Sequence, residues 1–274
     1  MADATILSRN DRYQQQQQQP QVYIRLTAPV IASVVAFLPV FGIVFSVTWS
    51  LLYDFERSTR THCGVPNYLP SISAAIGGFT PQRYVWRACI GLHCAPRFLV
   101  AFTYYNFHMS VRLAEKNKLY GHLAAIACVL HIIENLALLG LTYVASNENH
   151  YAHEKFFITF LVSSLCYMLL TIILVKWGRT YDGRTMSARE RKSYSTKFTL
   201  FVFNISCCFI AAYVYWRHNK YCEPGVYSIF ALIEYLMVFS NITFHGYTWL
   251  LDYNGYNLCL IADGSLVENK EKKT

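Results

Sequence analysis

Arg87, Arg97, Glu134 and Glu234 interrupt long apolar runs in a chain of 274 residues that is 54% hydrophobic and 15% charged. An ionised side chain at the centre of a bilayer costs about 2.5–3.5 kcal/mol even on insertion scales, so such groups turn inward and mark either a site or a helix-to-helix pairing. Two cations balance two carboxylates here. His93 and Arg97, four apart, share a face of one run, and His131 and Glu134, three apart, share a face of the next. Asn241 and His245 follow Glu234 at offsets of 7 and 11, along one stripe of the last run. At about 1.5 Å per residue, Arg97, Glu134 and Glu234 lie roughly 13–20 Å below one membrane face, with Arg87 roughly 6 Å below it. These groups can bind a phosphate, take a proton from a hydroxyl and stabilise an oxyanion. The same residues can also simply join helices.

The elements that must position them are membrane helices. Six blocks are each long enough to cross a hydrocarbon core of about 30 Å: Ala28–Tyr53, Tyr84–His108, Leu119–Ala145, Phe156–Trp177, Phe198–Trp216 and Val226–Leu251. Each is twice the length of a tilted strand and lacks strict alternation, which predicts an all-α membrane protein, a bundle of six transmembrane helices. Residues 1–25, with glutamines at Gln14–Gln19, are too polar to bury a core and are expected to form a disordered cytosolic arm. Residues 26–252 form the six-span domain and 253–274 a cytosolic tail. The first span lacks a convincing cleavage site after it and reads as a retained helix. With both termini cytosolic, sixteen Lys and Arg side chains fall on the cytosolic side and six on the other, the asymmetry that sets orientation. The net charge of +8 therefore reports topology and anionic lipid, and no nucleic acid partner is expected.

Of nine cysteines, only Cys63 and Cys222 fall on the lumenal side, where an oxidising compartment allows a bridge or leaves two free thiols. The lumenal loop 54–83 is punctuated by Gly and Pro yet apolar between the breaks, which predicts a cap dipping into the interface. Pro39 and Pro96 predict kinks in spans one and two. Asn204 and Asn241 begin glycosylation sequons inside helices, where no modification is expected. Tyr and Trp at span ends read as interfacial belts. There is no nucleophile elbow, no His-Glu-x-x-His and no P-loop. His150 and His153 could point two imidazoles one way, but two ligands are a weak metal signal, and no metal is expected.

Several segments together resemble the post-GPI-attachment-to-proteins factor 2 family. They are Thr-His-Cys-Gly-Val-Pro-Asn-Tyr-Leu-Pro-Ser at 61–71, Ala-Ile-Gly-Gly at 75–78, Pro-Gln-Arg-Tyr-Val-Trp-Arg at 81–87 and Ile-Gly-Leu-His at 90–93. Ala-Pro-Arg-Phe-Leu-Val-Ala at 95–101, Glu-Asn-Leu-Ala-Leu-Leu at 134–139, Arg-His-Asn at 217–219, Tyr-Cys-Glu at 221–223 and Gly-Val-Tyr at 225–227 extend the likeness over roughly residues 22–252. The resemblance implies a Golgi membrane protein in lipid remodelling of glycosylphosphatidylinositol (GPI) anchors, needed when lyso-GPI is reacylated with a saturated chain. It also implies Arg87, His93, Arg97, Glu134, Glu234, Cys63 and Cys222 as family-pattern positions, with His131 just outside a matching block.

Residue depth and type suit that role. Arg87 with Arg83 is expected to bind the lipid phosphate, with Asn241 and His245 lining the substrate site. His93 or Glu134 is expected to act as general base, Arg97 to hold the oxyanion, and Glu234 to belong to the same catalytic layer. No cofactor is expected beyond the acyl donor, acyl-CoA or phospholipid, as co-substrate. The expected partners are GPI-anchored proteins, lyso-GPI, membrane lipids and other GPI-remodelling proteins. The competing reading is a non-enzymatic factor that binds or presents lyso-GPI to a separate acyltransferase. A small-solute transporter lacks the inverted repeats such folds show. The end Lys270-Glu-Lys-Lys-Thr274 is similar to a retrieval signal, which predicts cycling between Golgi and endoplasmic reticulum.

Overall fold

The computed structural model describes residues 21–252 and 257–262; the Gln14–Gln19 run and the Lys270–Thr274 tail lie outside them. Six long helices follow the six apolar blocks: α1 (Ala28–Tyr53), α4 (Gln82–Met109), α6 (Lys118–Tyr143), α7 (His150–Thr180), α8 (Ala188–Tyr221) and α9 (Val226–Asp252). Three short helices, α2 (Phe55–Thr59), α3 (Ile72–Gly77) and α5 (Arg112–Lys116), and a 3-10 turn at Tyr181–Gly183 complete the helical part. Among the described residues, five helices are long and apolar enough to cross a membrane: α1, α6, α7, α8 and α9. Thus the chain is a multi-pass membrane protein. Helix α4 matches them in length, at 28 residues, but carries Arg83, Arg87 and Arg97.

The helix starts follow local chemistry. Ser187 and Glu190 close a reciprocal capping box at α8, Asn149 caps α7 by accepting from the Ala152 amide, and Asn117 caps α6 by accepting from Leu119. Helices α1 and α4 run unbroken through Pro39 and Pro96. Gly140 admits a close approach of α7, because a Cβ there would stand 2.5 Å from the Phe156 ring.

The six long helices form a closed ring in the order α1, α4, α6, α7, α8, α9 and back to α1, with the seam between α7 and α8 the most loosely packed. Outward-facing aromatics continue along α1, where Phe37, Phe41, Phe45, Trp49 and Tyr53 stack at successive i, i+4 steps. A two-stranded antiparallel ribbon pairs β1 (Gln21–Thr27) with β2 (Asn257–Ala262), which starts within the segment read as an arm and ends within the tail. Val22, Ile24 and Leu26 alternate with polar neighbours at strand period, a pattern that the surrounding glutamine-rich composition obscures.

Residues 54–81 cap one end of the ring. Ile72, Ala75 and Ile76 of α3 are buried with Ile43 and Trp86. The Ser50 hydroxyl donates to the Ala75 carbonyl at 3.2 Å, and the Tyr68 amide donates to Ser228 Oγ at 2.7 Å. The Gly225 amide donates to the Pro66 carbonyl, and the Tyr235 hydroxyl to that of Pro70. A disulfide joins Cys63 to Cys222, the residue that ends α8 in a left-handed conformation at φ 51°.

Because that bridge ties residues 159 apart, Cys63→Ser is expected to destabilise the protein by about 2–5 kcal/mol. Thermal unfolding in detergent, with and without reductant, checks this: wild type should fall toward the variant on reduction, and the variant should not move.

Candidate functional site

Two features inside the ring carry polar chemistry. The first is a buried cluster contributed by α1, α4, α6, α7 and α9. Arg97 Nη2 lies 3.0 Å from Glu134 Oε1, and both side chains are enclosed. His245 Nε2 stands 3.0 Å from each of them, so the three atoms form a triangle. That nitrogen can donate to the carboxylate or accept from the guanidinium, and the triangle holds both options open. His93 is less ambiguous. Its Nδ1–H donates to the Val35 carbonyl at 2.6 Å, which leaves Nε2 as the acceptor facing Arg97 Nη1 at 3.5 Å.

Asn241 extends the network, donating to Ser164 Oγ at 2.6 Å and to Glu134 Oε1 at 3.4 Å. His131 stacks on His245, with ring centroids 5.0 Å apart, and on Tyr167 at 4.6 Å. Among the described residues, neither His131 nitrogen nor Glu134 Oε2 has a hydrogen-bond partner. His131, Glu134 and His245 bring ligand atoms within 4.8 Å of one another, a donor set a divalent cation would accept. The Arg97 guanidinium, however, already sits as the cation against two of the three. A second convergence, His62, Cys63 and His218, has its sulfur committed to the disulfide.

Space decides what the cluster can do. The voids touching Arg97 measure about 30 and 10 Å³, room for a water and not for a lipid.

The second feature is a cavity of about 530 Å³ at the cap end, where α7 and α8 part beneath α3. Phe157, Ile158, Leu161, Phe230 and Met237 supply apolar walls, while Ser73, Ser146, Asn147 and His150 line its cap end. Glu234 borders this cavity, roughly 10 Å along α9 from Asn241 at 1.5 Å per residue. Its Oε2 accepts the Ile72 amide at 2.9 Å. His153, which lines the same cavity, donates Nδ1–H to the Val144 carbonyl at 2.7 Å and presents Nε2 to Ser73 Oγ at 3.0 Å.

The structure therefore unites His93, Arg97, Glu134, Asn241 and His245, residues that helical spacing places on single faces of three separate runs. It sets Glu234 apart from them, in the cap-end cavity. Arg83 and Arg87 lie at the start of α4, half-exposed, on either side of Glu148. Arg83 Nε donates to the Gly77 carbonyl at 2.8 Å, and Arg87 Nη2 to that of Tyr143 at 3.0 Å. The Ala145 amide, then Arg87 and Arg83, hold the Glu148 carboxyl below the usual carboxylate range. Sequence reasoning missed Glu148, Ser164 and Ser73. All three are common residue types without a motif, and only the fold gives them partners.

The Frag1/DRAM/Sfk1/Cwh43P N-terminal domain family matches residues 28–253, a stretch that contains both features. The chain is 44% identical over 227 residues to Acyltransferase PGAP2 of Xenopus tropicalis, covering 83% of this chain and 88% of that protein. It is 43% identical over 228 residues to Post-GPI attachment to proteins factor 2 of Caenorhabditis elegans, covering 82% and 85%. Protein cwh43 of Schizosaccharomyces pombe is 26% identical over 179 residues, which cover 65% of this chain and 16% of that protein. No solved structure matches the chain.

Removing one partner of a buried ion pair strands the other, so Arg97→Leu is expected to cost about 3–5 kcal/mol, and Arg97→Leu with Glu134→Leu to recover much of that loss. Melting curves of the two variants in detergent provide the check. For Glu148, the depressed carboxyl makes its pairing effective above the ordinary carboxylate range and lost as pH falls through its lowered value. The stability difference between wild type and Glu148→Gln should accordingly be present at neutral pH and vanish in acid, as read from melting temperature against pH.

Proposed function

The chain belongs to the post-GPI attachment to proteins factor 2 family, within the wider Frag1/DRAM/Sfk1/Cwh43P group, and on that premise we propose that it remodels the lipid of GPI anchors by acylating lyso-GPI. The observation that carries the reading is the 530 Å³ cavity at the α7–α8 seam, apolar along its walls and polar toward the cap. A lyso-GPI carries a phosphodiester at headgroup level and a free glycerol hydroxyl just below it. A cavity with that gradation suits both it and an acyl chain. Two relatives named as acyltransferases, 44% and 45% identical, support group transfer as the activity.

In this reading α4 is a sixth span and both termini are cytosolic, which puts the cap and the polar end of the cavity on the lumenal side. Helix α4 misses the hydropathy of its neighbours because of its arginines, yet Arg97 is paired inside the ring and Arg83 and Arg87 sit at its end. The excess of Lys and Arg on the opposite side supports the orientation. The compartment is the Golgi, with cycling through the endoplasmic reticulum, and the partners are lyso-GPI and the proteins it anchors. Arg83 and Arg87 engage the phosphate in exchange for Glu148, the residue after Asn147, which lines the cavity. His93, Arg97, Glu134 and His245 serve the transfer from beneath, fixing α9 and with it Glu234. The acyl donor enters as co-substrate, acyl-CoA or phospholipid.

A second reading, a lipid-presenting factor, draws on the closure of the Arg97 cluster, whose members already satisfy one another. The two separate in one assay. Purified protein in lipid discs, given lyso-GPI and a labelled donor, should form diacyl product, and Ala212→Phe, which plugs the cavity from an exposed position, should lower kcat/KM at least about tenfold without unfolding the protein. Retained lyso-GPI binding with no product from wild type would support presentation instead.

A further inference from the structure

We propose that Ser73 and His153 are the nucleophile and general base of the cap-end cavity, and that acyl transfer passes through an ester on Ser73. The proposal rests on the acyltransferase reading and adds the residues and the route.

An activated hydroxyl needs a base within hydrogen-bond reach and a third group to orient that base. All three are present. His153 is buried, and its Nδ1–H donates to the Val144 carbonyl at 2.7 Å, which leaves Nε2 unprotonated toward Ser73 Oγ at 3.0 Å. Ser73 is held from both sides. The preceding amide, of Ile72, is bound by Glu234, and the following amide, of Ala74, by the Ser71 hydroxyl. Tyr227 in turn donates to Ser71 Oγ at 3.3 Å.

A hydrogen bond that merely staples α3 to α7 would have no need of free volume. This one borders a cavity large enough for a fatty chain, and Asn147 and His150, which line the same cavity, carry N–H groups that can serve an oxyanion. The Arg97 cluster has stronger electrostatics but no room for an acyl group.

In the first half-reaction Ser73 Oγ attacks the carbonyl of a fatty acyl ester or thioester, and its proton passes to His153 Nε2. The tetrahedral adduct collapses with cleavage of the donor's acyl bond, and His153 returns the proton to the departing alkoxide or thiolate. In the second half-reaction the lyso-GPI hydroxyl, deprotonated by His153, attacks the Ser73 ester. Its C–O bond breaks, and the serine oxygen recovers the proton. The atoms balance without a redox partner or metal. Glu234 is a positioning residue here, since it acts on Ser73 through the Ile72 amide.

The test uses the full chain in lipid discs with a donor labelled in its acyl chain and no acceptor, as phospholipid in one arm and acyl-CoA in the other. After acid quenching, label is expected on the peptide containing Ser73, resistant to neutral hydroxylamine, and transferable to added lyso-GPI. Ser73→Ala should carry no label while still binding lyso-GPI, and His153→Gln should slow labelling by about a hundredfold or more. Ser73→Cys keeps a hydrogen-bonding nucleophile in place, and its label should become labile to neutral hydroxylamine, a change that a structural role for Ser73 would not produce. Transfer by wild type without label on Ser73 overturns the covalent route and leaves the acyltransferase reading standing. Absence of transfer by wild type in both arms overturns both.

Discussion

The burial of Arg97 against Glu134 is the constraint on which the other arrangements depend. Neither group could be left alone among apolar helices, because a stranded charge in that setting costs several kcal/mol. The pair therefore fixes α4 against α6 at one depth. His245 and Asn241 attach α9 to the same carboxylate, and His93 reaches back to the α1 backbone through the Val35 carbonyl. Once α9 has its depth and rotation, Glu234 is set as well, two helical turns nearer the cap, where it binds the Ile72 amide. A chain of contacts thus runs from the buried ion pair through His245 and Asn241, along helix α9 to Glu234, and by its hydrogen bond to the Ile72 amide to the segment that holds Ser73.

Polar groups in this protein divide between two tasks that pull in opposite directions. Deep in the ring they satisfy one another and close the space around them. At the cap end they leave a cavity open, with Ser73 and His153 paired across its edge. The disulfide and the hydrogen bonds from Ser50, Tyr68, Tyr235 and Gly225 keep the cap folded over that space. They add to the burial of Ile72, Ala75 and Ile76, which alone must offset the entropy of ordering a segment of that length.

Much of this could be read in the sequence, for physical reasons that differ by element. Long apolar runs have few alternatives to membrane helices, and the six long helices lie where those runs fall. Arg97, Glu134 and His245 stood out because charge and imidazole are costly in such runs, and their spacing at helical period aligned them correctly. Glu234 looked equivalent to Glu134 by depth. Its partner, a backbone amide 162 residues away, carries no sequence signal. The pairing of Ser73 with His153 was illegible for a similar reason: a serine of the short helix α3 and a histidine of α7 acquire joint meaning only when the two helices fold together. The cavity was hidden too, since it comes from a loose seam between two helices and no residue type marks it. The β1–β2 ribbon was masked by the polar composition around it.

The cavity sits at the loosest seam of the ring, between α7 and α8, so a membrane lipid would enter it from the side. A lipid reaching the cavity that way travels in two dimensions, so the concentration that governs its encounter is its mole fraction in the membrane and not its amount per litre. Saturation of such a protein follows membrane composition, and inert lipid or detergent acts as a diluent of substrate even when it binds nowhere. Occupancy would then fall as the surrounding lipid area grows, at constant total lyso-GPI.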